Sequence, residues 1–460
     1  SRPGAESAPP PAAAQRNPGD GAPLSPAQQF VLAQERRVQG RPYFNVPFAM
    51  RLTGRLEVEA LQRALDQLVA RHEALRMRFS KDGAGRDVQS PDPPMPCPLI
   101  TVRVTAPAAD ARAEAERLAT EEGRRPFDLL TPPLIRAAVF HVSVDEHLLL
   151  LTLHHIISDG QSVAILWRDL AALYQAERTG FAAQLPPLRA RFIDYVDRLL
   201  TPEYAAESAR HVEYFRERLA DVPVLRLPIE FPRLPVRRLN SGTYVDEIPA
   251  DSYRALHALA LQAQTTLFTA LLASLAALFV RWTGQDLFCL GIAIAGREQA
   301  AEQDLVGCFT NTLTLRICAE GDPSFLVLLE RLRDELISAL EHSLAPLGAV
   351  TAALPTKAPS NIPVPFQSVI TFNRDAGIVW PEGTLLPVPI STGVARREFD
   401  LLAQEHDGRL LFMVRYDADL FRPATAATQA RRLVRMVVAA TQDPHAPLSR
   451  LKLDPDGANG

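Results

Sequence analysis

One segment of the sequence combines residue types that can handle a proton. Residues 150–153 form an apolar run, His154 and His155 follow it, and Asp159-Gly160 stands just beyond. An imidazole ordinarily has a pKa of about 6.5, so a histidine can accept or donate a proton near neutral pH. Because side chains alternate along a strand, we expect one histidine to face a cleft and the other to pack in the core. The alternative, that both are ordinary packing histidines at a strand end, stays open on these grounds.

The elements around the two histidines indicate how they are positioned. Residues 147–153 predict a strand, and residues 161–178 predict a helix with one apolar face. Asp159 lies where it can cap that helix or sit beneath the histidines, and Gly160 permits a positive φ or a close approach by a ligand. The sequence contains no G-x-S-x-G or H-E-x-x-H motif, and adjacent histidines on a strand are poor joint metal ligands. No metal site is therefore predicted.

The chain as a whole predicts two mixed α/β halves joined by a proline-rich bridge. The predicted units are a flexible linker, a first lobe, a bridging segment, a second lobe and a tail, over residues 1–23, 24–182, 183–243, 244–453 and 454–460. Helices are predicted from Ser25-Pro26 onward and over residues 57–71, 108–120, 161–178, 265–282, 325–342 and 423–441. Strands are predicted over residues 45–52, 99–104, 134–142, 147–153, 287–293, 366–372 and 410–416.

Composition argues against several classes of protein. The 460 residues include 49 basic and 53 acidic ones, and a formal charge of −4 does not suit a general nucleic-acid binder. No run of about 18 apolar residues is present, so no membrane span is predicted. Four scattered cysteines, Cys97, Cys289, Cys308 and Cys318, fit buried thiols in a reducing cytoplasm. The proline- and alanine-rich start without Met leads us to expect a piece of a longer polypeptide.

Residues 154–160 have the form His-His-x-x-x-Asp-Gly, and through them the chain resembles the condensation domains of nonribosomal peptide synthetases. Further segments resemble other motifs of that family in the same order. They are Leu24-Ser25-Pro26-Ala27-Gln28-Gln29, Arg71-His72-Glu73-Ala74-Leu75-Arg76-Met77-Arg78-Phe79, Arg191-Phe192-Ile193-Asp194-Tyr195, Val306-Gly307-Cys308-Phe309-Thr310-Asn311-Thr312-Leu313 and Phe366-Gln367-Ser368-Val369. The resemblance covers about residues 24–453, nearly the whole chain.

The resemblance implies a mixed α/β fold in which two chloramphenicol-acetyltransferase-like lobes form a V around a central active-site tunnel. It also implies a reaction. The amine of an aminoacyl thioester on a downstream acceptor carrier protein attacks the acyl or peptidyl thioester on an upstream donor carrier protein, which forms an amide. No cofactor would be bound permanently, because the carrier proteins bring their own phosphopantetheine arms. The expected partners are these two carriers and adjacent synthetase domains, with no nucleic acid and no membrane.

The same resemblance assigns roles to individual residues. His155 would be the catalytic residue, which takes the amine proton or holds the amine by a hydrogen bond. Asp159 is expected to form a structural ion pair with Arg297 of the second lobe. Arg71 and Arg76 are expected to be structural arginines of the first lobe. Supporting roles at the active site are implied for His154, Asp159, Gly160, Arg297 and Asn311.

Two positions depart from the family pattern. The sixth motif, usually His-Gln followed by Pro-Phe-Glu, here reads His342-Ser343-Leu344-Ala345-Pro346-Leu347, so no role is carried over there. Gln161 stands where many members have a bulky Trp, which predicts a changed pocket near the acceptor.

Several related or rival functions are weighed against this interpretation. The intact motif at residues 154–160 argues against a cyclisation domain, and no Glu-Gly-His-Gly-Arg segment of the epimerising type is present. The residues of the motifs at 71–79 and 154–160 most resemble those of domains that take an L-configured or acyl donor. Two alternatives remain: a catalytically silent domain that docks carriers or recruits a partner enzyme, and a free-standing acyltransferase that uses acyl-coenzyme A.

Overall fold

The computed structural model describes residues 21–38, 40–355, 361–374, 377–381, 383–406 and 408–454. Its strands are β1 (Ala22–Pro23), β2 (Asn45–Thr53), β3 (Met77–Lys81), β4 (Asp87–Pro91), β5 (Leu99–Arg103), β6 (Ile135–His141), β7 (Glu146–His154), β8 (Ser241–Ile248), β9 (Leu287–Ile294), β10 (Asn311–Cys318), β11 (Val369–Asn373), β12 (Leu385–Val388), β13 (Phe399–His406) and β14 (Arg409–Asp417). Its helices are α1 (Pro26–Arg37), α2 (Val58–Arg71), α3 (Ala111–Gly123), α4 (Gly160–Thr179), α5 (Phe192–Leu199), α6 (Pro202–Arg218), α7 (Ala250–Gln262), α8 (Leu267–Thr283), α9 (Phe325–Glu341), α10 (Leu347–Ala353) and α11 (Pro423–Gln442).

The first lobe is built on a five-stranded sheet in the order β12-β2-β7-β6-β5. Its central strand β7 is a nearly continuous leucine run, because both faces of the sheet are covered. Leu149, Leu151 and Leu153 join the core that contains helices α2 and α4. Leu148 and Leu150 pack on the other side, with residues of α3. The strand that leads to the two histidines is therefore held on both sides.

The second lobe is built on a six-stranded sheet in the order β10-β9-β11-β13-β14-β8. Only one face of this sheet joins the core formed with α7, α8, α9 and α11. Strand β14 shows the consequence as a two-residue alternation. Leu410, Phe412, Val414 and Tyr416 are buried in that core, whereas Leu411, Met413 and Arg415 on the other face are half-buried.

Two segments of the second half of the chain join the first lobe. Strand β12 pairs antiparallel with β2, with Leu385 opposite Leu52 and Val388 opposite Ala49. Buried residues from the loop before β10, including Val306 and Phe309, belong to the first lobe's core. The first lobe therefore includes segments from the second half of the chain, and the predicted single boundary near residue 244 does not describe where these segments pack.

The predicted helices and strands are present, with ends that shift by a few residues, but several elements went unpredicted. The bridging segment contains α5 and α6, because Pro202 stands at the first position of α6 after the N-cap Thr201 rather than interrupting a helix. Ala22–Pro23, predicted as linker, pairs with β4, and Gln89 Nε2 donates to the Pro23 carbonyl at 2.9 Å. Residues 1–20 of the predicted linker and 455–460 of the predicted tail lie outside the described residues.

Two further expectations concern cysteines and membrane spans. All four cysteines are free; three are buried, as predicted, whereas Cys318 is only half-buried. Among the described helices, no single one has the length and hydropathy to cross a membrane. Helices α7 and α8 meet that test only when taken together, and they are bent by 106°. Most of α8 is buried in the second lobe's core.

Candidate active site

The two adjacent histidines occupy different environments at the end of β7. His154 is the last strand residue and is buried, with its ring near Phe44 and Phe127 at centroid distances of 6.1 Å each. Its Nδ1 accepts a hydrogen bond from the Ile156 backbone N–H at 3.1 Å. The neutral ring therefore carries its proton on Nε2, which lies 3.7 Å from Glu35 Oε2. Burial lowers the pKa of His154, so the ring acts as a packed, oriented neighbour.

His155 leaves the strand and begins a short 3₁₀ turn, His155–Ile157. Its backbone N–H donates to the Phe44 carbonyl at 2.8 Å, and its half-buried ring meets the Phe44 ring edge-on. The contrast between a buried and a more accessible histidine is the one we expected. The physical cause of this contrast is not the one we expected. The strand ends at His154, so the alternation of side chains along a strand does not extend to His155.

The imidazole of His155 is neutral at physiological pH. Burial, and to a smaller extent the charge of Arg396, lowers its pKa to about 4. Asp159 raises the pKa slightly against this trend. The Nδ1 atom is buried and has no hydrogen-bond partner among the described residues. A neutral ring of this kind can accept a hydrogen bond, but it is a weak base at neutral pH.

The carboxylate of Asp159 accepts several hydrogen bonds, and all of them come from protein groups. It caps α4, where Oδ1 accepts from the backbone N–H and the hydroxyl of Ser162, both at 2.7 Å. Arg297 binds it in a bidentate manner, with Nη1 to Oδ2 at 2.7 Å and Nη2 to Oδ1 at 3.1 Å. The Phe309 backbone N–H adds a fifth bond at 3.3 Å. The predicted pairing of Asp159 with Arg297 is therefore present and joins the two lobes.

Arg297 is held as firmly as its partner. Its Nη2 also donates to Ser162 Oγ at 3.1 Å and to the Leu305 carbonyl at 2.9 Å, and its guanidinium lies 4.1 Å from the centre of the Phe309 ring. Asp159 and Arg297 are both buried. A buried ion pair with these extra partners works as a rigid tie between α4 and the loop after β9.

Two further motifs meet beside this ion pair. The Phe192 ring at the start of α5 packs against Phe309 at 5.0 Å, and Tyr195 lies 4.5 Å from Phe309. A Cβ atom on Gly307 would lie 2.2 Å from the Phe192 ring, so only glycine fits there. The segments 191–195 and 306–313, which resemble the fourth and fifth family motifs, thus pack against each other and fix the loop that carries Phe309.

Gly160 and Gln161 open helix α4 next to the second lobe. Gly160 is exposed, and a Cβ atom there would meet only Asn373 Oδ1, at 3.5 Å. Gln161 Nε2 donates to the carbonyl of Gln303 at 3.0 Å and to its side-chain oxygen at 3.2 Å. The residue that replaces the family's usual Trp therefore forms another contact with the second half of the chain.

The comparisons with known proteins agree with this arrangement. The family model described as the condensation domain matches residues 19–459. The chain belongs to this family. The condensation domain is 33% identical over 417 residues to a chondramide synthase of Chondromyces crocatus and 33% identical over 455 residues to a phosphinothricin tripeptide synthetase of Streptomyces viridochromogenes. These matches cover 89% and 96% of this chain but 10% and 41% of the relatives, so the domain spans less than half of their length.

Solved structures share the fold of this condensation domain. The X-domain from teicoplanin biosynthesis matches with a TM-score of 0.80 and 27% identity, over 96% of this chain and 99% of that one. The first condensation domain of the CDA synthetase matches with a TM-score of 0.84 and 22% identity, over 95% and 100%. The predicted mixed α/β fold of two chloramphenicol-acetyltransferase-like lobes is confirmed.

Three of the predicted residues lie away from His155 in structural networks of the condensation domain. Asn311 Nδ2 donates to the carbonyls of Ser343 and Ala345, at 3.0 and 2.6 Å. Asn311 therefore anchors the start of β10 to the segment that follows α9. Arg71 Nε binds the buried Asp169 at 2.9 Å, and Arg76 donates to the Asp92 carbonyl. These contacts fit the structural role predicted for the two arginines.

Sequence reasoning missed two sets of residues around the site of the condensation domain. Ser162 is the hydroxyl that links Asp159, Arg297 and the Gly307 backbone, and its position three residues after an N-cap was a usable signal. Arg396 and Arg415 were also missed. Neither residue falls in a motif, and their proximity depends on the pairing of distant strands.

Proposed function

We propose that this condensation domain joins two carrier-bound substrates through an amide bond, within a nonribosomal peptide synthetase or a hybrid polyketide–peptide assembly line. The acceptor amine attacks the carbonyl carbon of the donor thioester. The C–N bond forms, the C–S bond breaks, and the proton lost by the amine ends on the released pantetheine sulfur. The observation that carries this proposal is the half-buried, neutral imidazole of His155 inside an intact His154–Gly160 motif.

His155 acts in this proposal mainly by positioning the amine. A general base works best when its pKa lies near the working pH, and a pKa of about 4 lies well below it. A neutral imidazole nonetheless accepts a hydrogen bond from the N–H of the attacking amine. As nitrogen gains positive charge during the attack, that hydrogen bond strengthens and partial proton transfer follows.

Asp159 has a positioning role and takes no part in proton transfer. Its five hydrogen bonds use both carboxylate oxygens, and all of them come from Ser162, Arg297 and Phe309. The carboxylate therefore fixes the start of α4, which follows the turn that carries His155. His154 supports the same turn through its bond to Ile156, and exposed Gly160 leaves room beside it for a substrate arm.

The substrates reach the domain on partner proteins. Upstream donor and downstream acceptor carrier proteins deliver thioesters on phosphopantetheine arms, so the domain itself holds no cofactor. Adjacent synthetase domains complete the assembly line. Support comes from the family membership and from relatives more than twice the length of the matched region, which are synthetases by name.

The two alternative functions receive less support. A silent recruitment domain has a solved counterpart in the fold, since the teicoplanin X-domain is described in a complex with OxyB. The intact motif of this chain, with His155 only half-buried, does not favour that function. A free-standing coenzyme A-dependent acyltransferase requires only His155, but the matched relatives carry this region within much longer synthetases.

A single-turnover assay with both carriers loaded tests the proposal. His155→Ala is expected to lower the rate of amide formation at least ~100-fold, because it removes the group that holds the amine. The His257→Ala variant, which changes an exposed histidine of α7, is the matched control and is expected to retain wild-type rate. Product is read by mass spectrometry of the intact acceptor carrier.

Thermal melting of both variants separates a catalytic loss from unfolding. We expect His155→Ala to melt no lower than the control. Near-wild-type product from His155→Ala contradicts the role of this residue. Product absent from the wild-type protein with every loaded pair contradicts the condensation activity itself and favours the silent alternative.

A further inference from the structure

A second group of charged side chains lies close to His155 and takes no part in the proposed reaction. Arg396 stands just before β13, and its Nε donates to the Tyr43 carbonyl at 3.0 Å. Its guanidinium lies 4.8 Å from the centre of the Phe44 ring, the same ring that His155 meets edge-on. The charge of Arg396 also lowers the pKa of His155, which places the two side chains in one electrostatic environment.

Two more charged residues extend from Arg396 along the sheet. Asp400 on β13 and Arg415 on β14 are direct cross-strand partners. The residues that alternate with them belong to the helix-covered core, so both side chains lie on the opposite face of the sheet. Those core residues are Phe399, Leu401, Val414 and Tyr416.

The cluster formed by Arg396, Arg397, Asp400 and Arg415 carries an excess of positive charge. The charges of three arginines act on the single carboxyl group of Asp400, which leaves at least two positive charges unbalanced. Asp400 accepts a hydrogen bond from the Val369 backbone N–H at 2.9 Å but forms no ion pair among the described residues. Arg415 has neither a hydrogen bond nor an ion pair within the same part of the chain. Arg397 donates to the Arg396 carbonyl at 3.2 Å and lies 5.0 Å from the centre of the Phe366 ring, and its buried Nε has no partner in the described part of the chain.

The neighbouring acids are already committed to other arginines. Glu398 pairs with Arg233 at 3.0 Å, and Asp417 pairs with Arg237 at 2.9 Å. Burial lowers the pKa of Arg396 to about 10, so this guanidinium is still charged at neutral pH. Uncompensated charge is costly inside a protein, and its presence at a functional site indicates a group that arrives with the opposite charge.

We propose that Arg396, Arg397 and Arg415 form a subsite for a carboxylate on a carrier-bound substrate. This inference rests on the proposed function, because it assigns a substrate class to the same site. A planar guanidinium binds a carboxylate through two parallel hydrogen bonds, and it does so most strongly where water is scarce. The α-carboxyl group of a carrier-bound residue is consumed in its thioester. The recognised carboxylate therefore belongs to an acidic side chain or to a dicarboxylic acyl group.

Equilibrium binding tests this inference without requiring turnover. The probes are pantetheine conjugates in which an amide replaces the thioester: aspartyl and asparaginyl conjugates with a free amine as acceptor mimics, and their N-acetyl forms as donor mimics. Calorimetry at one fixed salt concentration compares each acidic probe with its neutral isostere. We expect the wild-type domain to bind the acidic member of one pair about 10- to 100-fold more tightly, and that pair identifies the donor or acceptor as the source.

Variants of the cluster assign the preference to its arginines. Arg415→Gln is expected to abolish the preference for the acidic probe, and Arg397→Gln is the second variant should the first not fold. Arg409→Gln, an exposed arginine on the same strand that pairs with Glu247 at 3.0 Å, is expected to keep the full preference.

Two outcomes overturn the inference: equal binding of both members in both wild-type pairs, or a preference that persists in the folded variants. These results are independent of the condensation assay. A domain that forms amides from neutral substrates but shows no acidic preference retains the proposed function and loses this inference. A domain that binds the acidic probe but forms no amide with any loaded pair loses the proposed function and retains the subsite.

Discussion

Two arginine sites of the second lobe lie near His155 and differ in how their charge is balanced. Arg297 donates four hydrogen bonds, two to Asp159 and one each to Ser162 and the Leu305 carbonyl. Arg415 lies opposite Asp400 on the sheet but makes no hydrogen bond or ion pair to any described residue. At the first site every Arg297 nitrogen except the buried Nε donates to a protein group, whereas no described residue pairs with Arg415.

The difference separates a structural role from a binding role. A buried charge is tolerated when an opposite charge and hydrogen bonds compensate it. When one member of a buried ion pair is removed, the desolvation of the remaining charge is no longer compensated. A charge without partners contributes little to the fold, so its removal costs little. The same type of substitution is therefore expected to lower the free energy of unfolding much more at the first site than at the second.

The largest effect is expected at the Arg297 site. Arg297→Met leaves the Asp159 carboxylate buried without its cation, which is expected to lower the free energy of unfolding by about 3–5 kcal/mol. Urea denaturation monitored by fluorescence measures this change. Arg117→Met removes an exposed cation of α3 that pairs with Glu114 at 2.7 Å, and as the control it is expected to cost less than about 1 kcal/mol. Equal losses in the two variants contradict a special role for the Asp159–Arg297 pair.

That pair is also the part of the site most accessible to prediction. The spacing of His154, His155 and Asp159 is local, and the helix after Asp159 follows from a cap residue and a periodic apolar face. Arg297 lies 138 positions away, yet the family resemblance supplies it as the partner. Local signals and a known motif together therefore predicted the geometry that holds the start of α4.

The Arg396–Arg415 cluster could not be predicted in the same way. Arg415 stands between apolar residues in the alternating sequence of β14, and the same alternation is typical of any strand with one face exposed to solvent. Arg415 lies near Arg396 because β13 pairs with β14. Arg396 in turn lies near His155 because the two lobes are in contact there. No local pattern in the sequence records either contact.

The fold shows the same limit. Strand β12 joins the sheet of the first lobe although its residue Leu385 lies 333 positions after its partner Leu52 (385 − 52), and its short segment carries no strong strand pattern. Prolines in the bridging segment predicted interruption, whereas Pro202 starts a helix. Long-range pairing and the dual use of proline are therefore the two features that local reasoning did not resolve.

A smaller effect is expected at the Arg415 site. Arg415→Met keeps the length of the side chain and removes a cation that has no hydrogen bond or ion pair among the described residues. The loss of its attraction to Asp400 is offset by relief of its own desolvation cost, so the free energy of unfolding is expected to change by less than about 1 kcal/mol in either direction. The same urea denaturation series measures it beside Arg297→Met. A loss as large as that of Arg297→Met contradicts the view that Arg415 is unpaired in the folded protein.

The smallest effect links Arg396 to His155. Burial and then Arg396 lower the pKa of His155 to about 4, so its imidazole should stay neutral from pH 8 to about pH 5. In Arg396→Gln the titration midpoint is expected to rise by less than about one pH unit, since burial, the larger cause, remains. Nuclear magnetic resonance of the histidine ring protons measures both midpoints, and His155→Gln identifies the signal.

The same shift predicts how acid acts on stability. An imidazole in the unfolded chain titrates at about pH 6.5, whereas that of folded His155 titrates near 4, so protons bind the unfolded chain preferentially between these values. The stability that the neutral ring contributes is present above about pH 6.5 and is lost as the pH falls toward 4. His155→Gln should therefore lose less stability than the wild-type domain in this window. Parallel losses in the two proteins would show that the ring is better hydrated than its burial indicates.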